Sequence, residues 1–159
     1  MKGNEKIITE LNSLLADELT AINQYMLHSE MCECWGYHKL HKAIRSQAMN
    51  EMNHAEWLIE RILFFEGTPT VSKLKTINIG KTVSEMIGND YDKEIEAVQA
   101  YNKVIKLARE VDDQGTADLL TKILKMEEDH VDWAEIQRVQ IEQMGMENYL
   151  ASNTETHAG

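Results

Sequence analysis

Two segments of this chain recur 76 residues further along it. Glu18-Leu-Thr-Ala-Ile-Asn-Gln-Tyr25 and Glu94-Ile-Glu-Ala-Val-Gln-Ala-Tyr101 share the pattern E-[LI]-x-A-[IV]-x-x-Y. Glu51-Met-Asn-His54-Ala-Glu-Trp57 and Glu127-Glu-Asp-His130-Val-Asp-Trp133 share E-x-x-H-x-[ED]-W at the same offset. Within each half the first glutamate precedes the second by 33 residues. The chain therefore reads as two copies of one helical hairpin, and whatever chemistry it carries is expected twice.

Apolar residues recur at helical spacing in four long segments, with Gly and Pro in most of the gaps. The pattern predicts helices over about 5–35, ended near Gly36, and about 38–66, ended by Gly67 with Pro69 beyond. A third covers about 83–111, with Thr82 and Glu85 placed as a capping box. The fourth covers about 114–144, with Gly145 as a left-handed C-cap. A short helix is expected at 146–151, and the tail 152–159 has nothing to bury. Pro69 is the only proline, as suits long unbroken helices. Helices of about 29 residues are roughly 43 Å long. The stretch 67–82, extended at about 3.3 Å per residue, covers roughly 50 Å, enough to run the length of a bundle. Structureless connections of that length are uncommon, so it reads as a crossover between the hairpins. The expected fold is all-α: one domain over residues 1–159, a four-helix bundle with a long crossover between the second and third helices and a short C-terminal helix.

The repeated glutamates lie on apolar stripes. Ile7, Leu11, Leu14, Glu18, Ile22 and Tyr25 step by three or four residues, as do Leu40, Ile44, Ala48, Glu51, Ala55, Leu58 and Ile62. Val83, Ile87, Glu94, Val98 and Tyr101 form the third stripe, and Leu120, Ile123, Glu127, His130 and Ala134 the fourth. Each glutamate falls near mid-helix, so all four can meet at one depth in the core. Four buried carboxylates without counter-charge would each cost several kcal/mol or take up protons. Two divalent cations balance four carboxylates, and E-x-x-H places an imidazole beside a carboxylate on one face. Mixed oxygen and nitrogen donors with open positions suit iron or manganese better than structural zinc.

Composition narrows the function classes. The 159 residues carry 16 Lys and Arg against 27 Asp and Glu, a formal charge of −11, which counts against a nucleic-acid binder. At 43% hydrophobic residues the chain can bury a core. Its longest apolar run is the four residues Ile62 to Phe65, far short of the roughly 20 a membrane span needs. The opening Met1-Lys2-Gly3-Asn4-Glu5 does not resemble a secretory signal. With only Cys32 and Cys34, a cytoplasmic location is expected.

From Met1-Lys2-Gly3 to Gly145-Met-Glu-Asn-Tyr149-Leu150 the chain resembles the bacterioferritins, in the ferritin-like di-iron carboxylate superfamily. The resemblance implies that Glu18, Glu51 and His54 ligate one iron, and Glu94, Glu127 and His130 the other, with Glu51 and Glu127 bridging. It implies a ferroxidase that oxidises Fe(II) with dioxygen or hydrogen peroxide and stores the ferric mineral in a hollow homo-oligomeric shell, a 24-mer built of two-fold dimers. A small redox partner for iron release belongs to the same picture. Met52, beside Glu51 but about 100° round the helix, would by resemblance be an axial ligand to a haem, b-type or a related porphyrin, shared by two subunits. Leu19, Ile22, Asn23 and Met26 could line its pocket.

Other residues are secondary candidates. Tyr25 and Tyr101, two turns after Glu18 and Glu94, are placed to hydrogen-bond carboxylates across the bundle. Asp90, one turn before Glu94, is a candidate partner for His54 or His130, since metal-bound histidines are usually oriented by such groups. Trp57 and Trp133 read as packing residues before electron relays. His38, His41 and His157 read as surface residues. Two other functions compete: a peroxide-scavenging protein like rubrerythrin, which usually adds paired C-x-x-C motifs where this chain has only Cys32-Glu-Cys34, and a haem electron-transfer protein whose di-metal site is structural.

Overall fold

The computed structural model describes residues 1–154 and contains five helices. These are α1 (Glu5–Cys34), α2 (His38–Phe64), α3 (Val83–Glu110), α4 (Gln114–Met144) and α5 (Met146–Ser152). Helices α1 and α2 pack as one hairpin and α3 and α4 as the other; α1 also meets α3, α2 meets α4, and α5 folds onto α4. No helix among the described residues is long and apolar enough to cross a membrane.

The helix ends are set by local chemistry. The Asn4 side chain accepts from the N–H groups of Lys6 and Ile7 at the start of α1, and that of Asp113 from Thr116 N–H at the start of α4, satisfying donors the helix leaves open. At α3 the expected capping box forms in altered form. Thr82 Oγ1 accepts from Glu85 N–H at 3.2 Å, but the Glu85 carboxylate reaches one residue further back, to Lys81 N–H at 2.6 Å. The two hairpin turns repeat like the motifs. Tyr37 N–H bonds Cys32 O at 2.8 Å and Asp113 N–H bonds Ala108 O at 2.7 Å, with Gly36 (φ 83°) and Asp112 (φ 57°) as the left-handed residues. Helix α2 stops two residues early because Glu66, not Gly67, takes the left-handed position at φ 63°. Gly145 has positive φ but ψ 150°, outside the expected left-handed helical region and open essentially to glycine alone. It ends α4 and starts α5 in a single residue.

The crossover is strapped to one face of α1. Thr70 N–H bonds Asn12 Oδ1, Lys75 N–H bonds Thr20 Oγ1, Asn78 N–H bonds Gln24 Oε1 and Gly80 N–H bonds His28 Nε2, at 2.7–3.0 Å. These partners take the place of the secondary-structure bonds that the strap lacks. The residues following α5 also differ from expectation: Asn153 is buried, and its carbonyl accepts from Lys39 N–H at 3.2 Å. Positions 155–159, including His157, lie outside the described residues.

The core is split in two. One apolar cluster holds Leu11, Leu58, Val104 and Leu120 among others, and a second holds Leu40, Ile44, Met86 and Tyr149. Between them, across all four long helices, lies a layer containing Glu18, Glu51, His54, Glu94, Glu127 and His130, each at most 5% exposed. A fold stabilised by apolar burial thus gives up the middle of its core to charge.

Candidate metal centre

The six side chains form two overlapping groups. Glu18, Glu51, His54 and Glu127 offer one set of donor atoms and Glu51, Glu94, Glu127 and His130 another, the atoms of each set lying within 4.8 Å of one another. Glu51 and Glu127 belong to both. His54 Nδ1 lies 2.8 Å from Glu127 Oε1, 3.3 Å from Glu51 Oε2 and 3.6 Å from Glu18 Oε2. His130 Nδ1 lies 3.0 Å from Glu51 Oε1, 3.4 Å from Glu94 Oε1 and 3.9 Å from Glu127 Oε2. Each E-x-x-H motif supplies its pair because residues three apart share a helix face.

Hydrogen bonding leaves this layer short of donors. Glu18 Oε2, Glu51 Oε1, Glu94 Oε2, Glu127 Oε1 and His130 Nδ1 are buried without a well-aligned hydrogen bond, the close approaches of His54 to Glu127 and of His130 to Glu51 being ion-pair contacts only. Unpaired buried polar atoms are costly, and here each glutamate contributes one. The set fits cations: inward-facing acceptors, both imidazoles presenting Nδ1, and carboxylates enough to balance two dications.

The proton equilibria carry the same strain. Burial, then the charges of Glu18 and Glu94, push the Glu51 carboxyl well above the ordinary carboxylate range. Burial and the charges of Glu51 and Glu18 do the same to Glu127. Burial also pushes Glu94 up, but bonds from Glu127, His130 and Tyr25 outweigh it and leave Glu94 lowered. His54 is depressed by burial, yet the carboxylates of Glu127 and Glu18 raise it to about 9. The raised groups favour the protonated form for the same reason that the site suits cations: too many carboxylates share too little counter-charge.

Both tyrosines reach across the bundle as expected. Tyr25 OH donates to Glu94 Oε1, and Tyr101 OH donates to Glu18 Oε1 at 2.5 Å. Burial and the neighbouring carboxylates push both phenols well above their usual range, keeping them as donors. Asp90 is buried but partners neither His54 nor His130. Its carboxylate takes His28 Nδ1 and Gln24 Nε2, both at 2.8 Å, because His28, one turn beyond Tyr25 on the stripe of α1, faces it directly. His28 itself was not among the sequence candidates, although continuing that stripe by one turn reaches it.

Met52 is 51% exposed and Asn23 is exposed, while Leu19, Ile22 and Met26 are half-buried. Trp57 packs 5.6 Å from the His54 ring, with Lys122 over its outer face. His38 and His41 are half-buried, not open surface: His38 Nδ1 meets Glu33 Oε2 at 3.0 Å and His41 Nδ1 meets Ser29 O at 2.9 Å. A cavity of about 200 Å³ adjoins the four glutamates and extends to Lys75 and Thr76 of the crossover.

The description of the matching family model is "Ferritin-like domain", and it covers residues 8–144, the four long helices almost entire. The chain belongs to the ferritin-like family. This ferritin-like chain is 42% identical over 153 residues to a bacterial ferritin of Synechocystis sp., covering 96% of this chain and 98% of the relative. It is 42% identical over 154 residues to a bacterial ferritin of Paramagnetospirillum magnetotacticum, covering 96% and 94%. It is 38% identical over 151 residues to a bacterioferritin of Mycobacterium avium, covering 95% of each. The bacterioferritin resemblance read from the motifs therefore extends over nearly the whole chain.

Proposed function

We propose that this protein is an iron-storage ferroxidase acting as a single ferritin-like domain, in which Glu18, Glu51, Glu94, Glu127, His54 and His130 bind two Fe(II). The observation that carries this is the buried layer of four carboxylates with one orphaned oxygen each, in a chain whose relatives are named bacterial ferritin and bacterioferritin. Glu51 and Glu127 span the two positions. Carboxylates must be ionised and imidazoles neutral to bind a cation, so iron entry displaces any protons these side chains hold.

The pair of positions suits a two-electron oxidant. Each Fe(II) gives up one electron; hydrogen peroxide takes both, with two protons, and leaves as two waters. Tyr25 and Tyr101 hold Glu94 and Glu18 in place through the change of charge. Dioxygen is the alternative oxidant. The ferric product then moves to a mineral inside a homo-oligomeric shell, a 24-mer of two-fold dimers, from which a small redox partner releases it. Met52, exposed on α2, would give its thioether to a haem shared with a partner subunit; such a group would supply one-electron transfer. A cytoplasmic location fits this chemistry. Glu18→Ala should abolish rapid Fe(II) oxidation, and an unchanged initial rate would overturn the assignment.

A further inference from the structure

The repeat is nearly symmetric in its ligands but not behind them. The outer nitrogen of each histidine is met by a residue from the opposite half. His130 Nε2 lies 3.2 Å from the Asn50 side-chain amide, and His54 Nε2 lies 3.3 Å from Met126 Sδ. Asn50 and Met126 stand 76 residues apart, so the same position in the two hairpins carries an amide in one and a thioether in the other.

We propose that Asn50 is a positioning residue that makes the two metal positions unequal, strengthening the one built on His130 relative to the one built on His54. The inference rests on the di-metal reading above. An imidazole that gives Nδ1 to a cation keeps its remaining proton on Nε2, and a good acceptor there orients the ring and raises its basicity. The amide of Asn50, whose Nδ2 lies nearest His130 Nε2, can donate through that nitrogen or after a half-turn accept through Oδ1. It can therefore follow His130 from one tautomer to the other. Met126 offers His54 only a thioether, a weak acceptor. Both contacts are partly shielded, Asn50 and Met126 being half-buried, so water competes only in part.

Stepwise titration of the full-length assembled protein with Co(II), followed by its visible absorption, tests this. The native chain should take up two Co(II) in two resolved steps; fewer than two would overturn the di-metal reading itself, whatever Asn50 does. Asn50→Met, which copies the repeat counterpart, should weaken one step by about tenfold or more and leave the other unchanged. Asn50→Asp, which keeps an acceptor, should restore it. In a His54→Ala background the remaining step should still respond to Asn50→Met, and in a His130→Ala background it should not. Met126→Asn should tighten the His54 position and bring the two steps together. By NMR of the Co(II) form, the shifted imidazole N–H of His130 should exchange faster with water in Asn50→Met. Unaltered constants in both Asn50→Met and Met126→Asn, or equal weakening of both steps that Asn50→Asp fails to rescue, would overturn the proposal.

Discussion

Replacing Glu51 by glutamine should separate the cost of this carboxylate from its use. In the metal-free chain Glu51 is 1% exposed with one oxygen unpartnered, and burial with the nearby charges of Glu18 and Glu94 raises its pKa. A neutral amide of the same shape relieves that strain. Glutamine keeps the shape and an acceptor oxygen while removing the repulsion from Glu18 and Glu94, so the metal-free melting temperature should hold or rise. With metal the order reverses. A dication present at 100 times its Kd stabilises by about 2.7 kcal/mol, so two independent ions give about 5.4 kcal/mol. At roughly 2–4 °C per kcal/mol for a chain of this size, the rise in melting temperature is about 10–20 °C. Glu51 lends oxygen to both groups of donors, whereas Glu18 serves one. Glu51→Gln should therefore lose nearly all of the rise and Glu18→Gln about half. Scanning calorimetry with and without Zn(II), a redox-silent probe, reads both. A full metal-induced rise in Glu51→Gln, or equal losses in the two variants, would refute the reasoning.

The pH dependence of stability should also be weaker with metal bound. Glu51, Glu127 and His54 all have raised pKa values in the folded chain. A group raised on folding contributes stability in full below its unfolded value and loses it as pH climbs through its folded value. For His54 that window runs from 6.5 to about 9, and the two carboxyls act in the same direction. The metal-free melting temperature should fall across this window, and the Zn(II)-loaded protein should fall less; a metal-free value that rises would contradict the burial argument. Met52→Leu should abolish haem absorbance and leave the rate of Fe(II) oxidation intact, as read by optical spectra and stopped flow; haem retained at full occupancy would rule out the thioether as its ligand.

Much of this molecule was legible because the repeat ties each motif to a partner. Glu18 interrupting the stripe of Leu11, Leu14 and Tyr25 was enough to predict a buried carboxylate, and the same step on four helices placed all four at one depth. The long crossover followed from the distance it must cover. What escaped were contacts decided by the partner helix. Asp90 meets His28 instead of His54 or His130, because one-dimensional spacing from Glu94 does not say which face of α1 lies opposite. Asn153 looked idle in a polar tail, yet its carbonyl caps the first turn of α2 through Lys39. The exchange of Asn50 for Met126 was visible in the aligned halves, but only the two histidine contacts give it meaning.

The most direct test of a two-iron oxidation site is an anaerobic Fe(II) titration followed by hydrogen peroxide, with iron bound and peroxide consumed measured on the same sample. Saturation at two Fe(II) per chain, and one peroxide consumed for each pair of iron ions oxidised, is the expected result. Binding that stops at one Fe(II), or oxidation no faster than that of free Fe(II) under the same conditions, would contradict it.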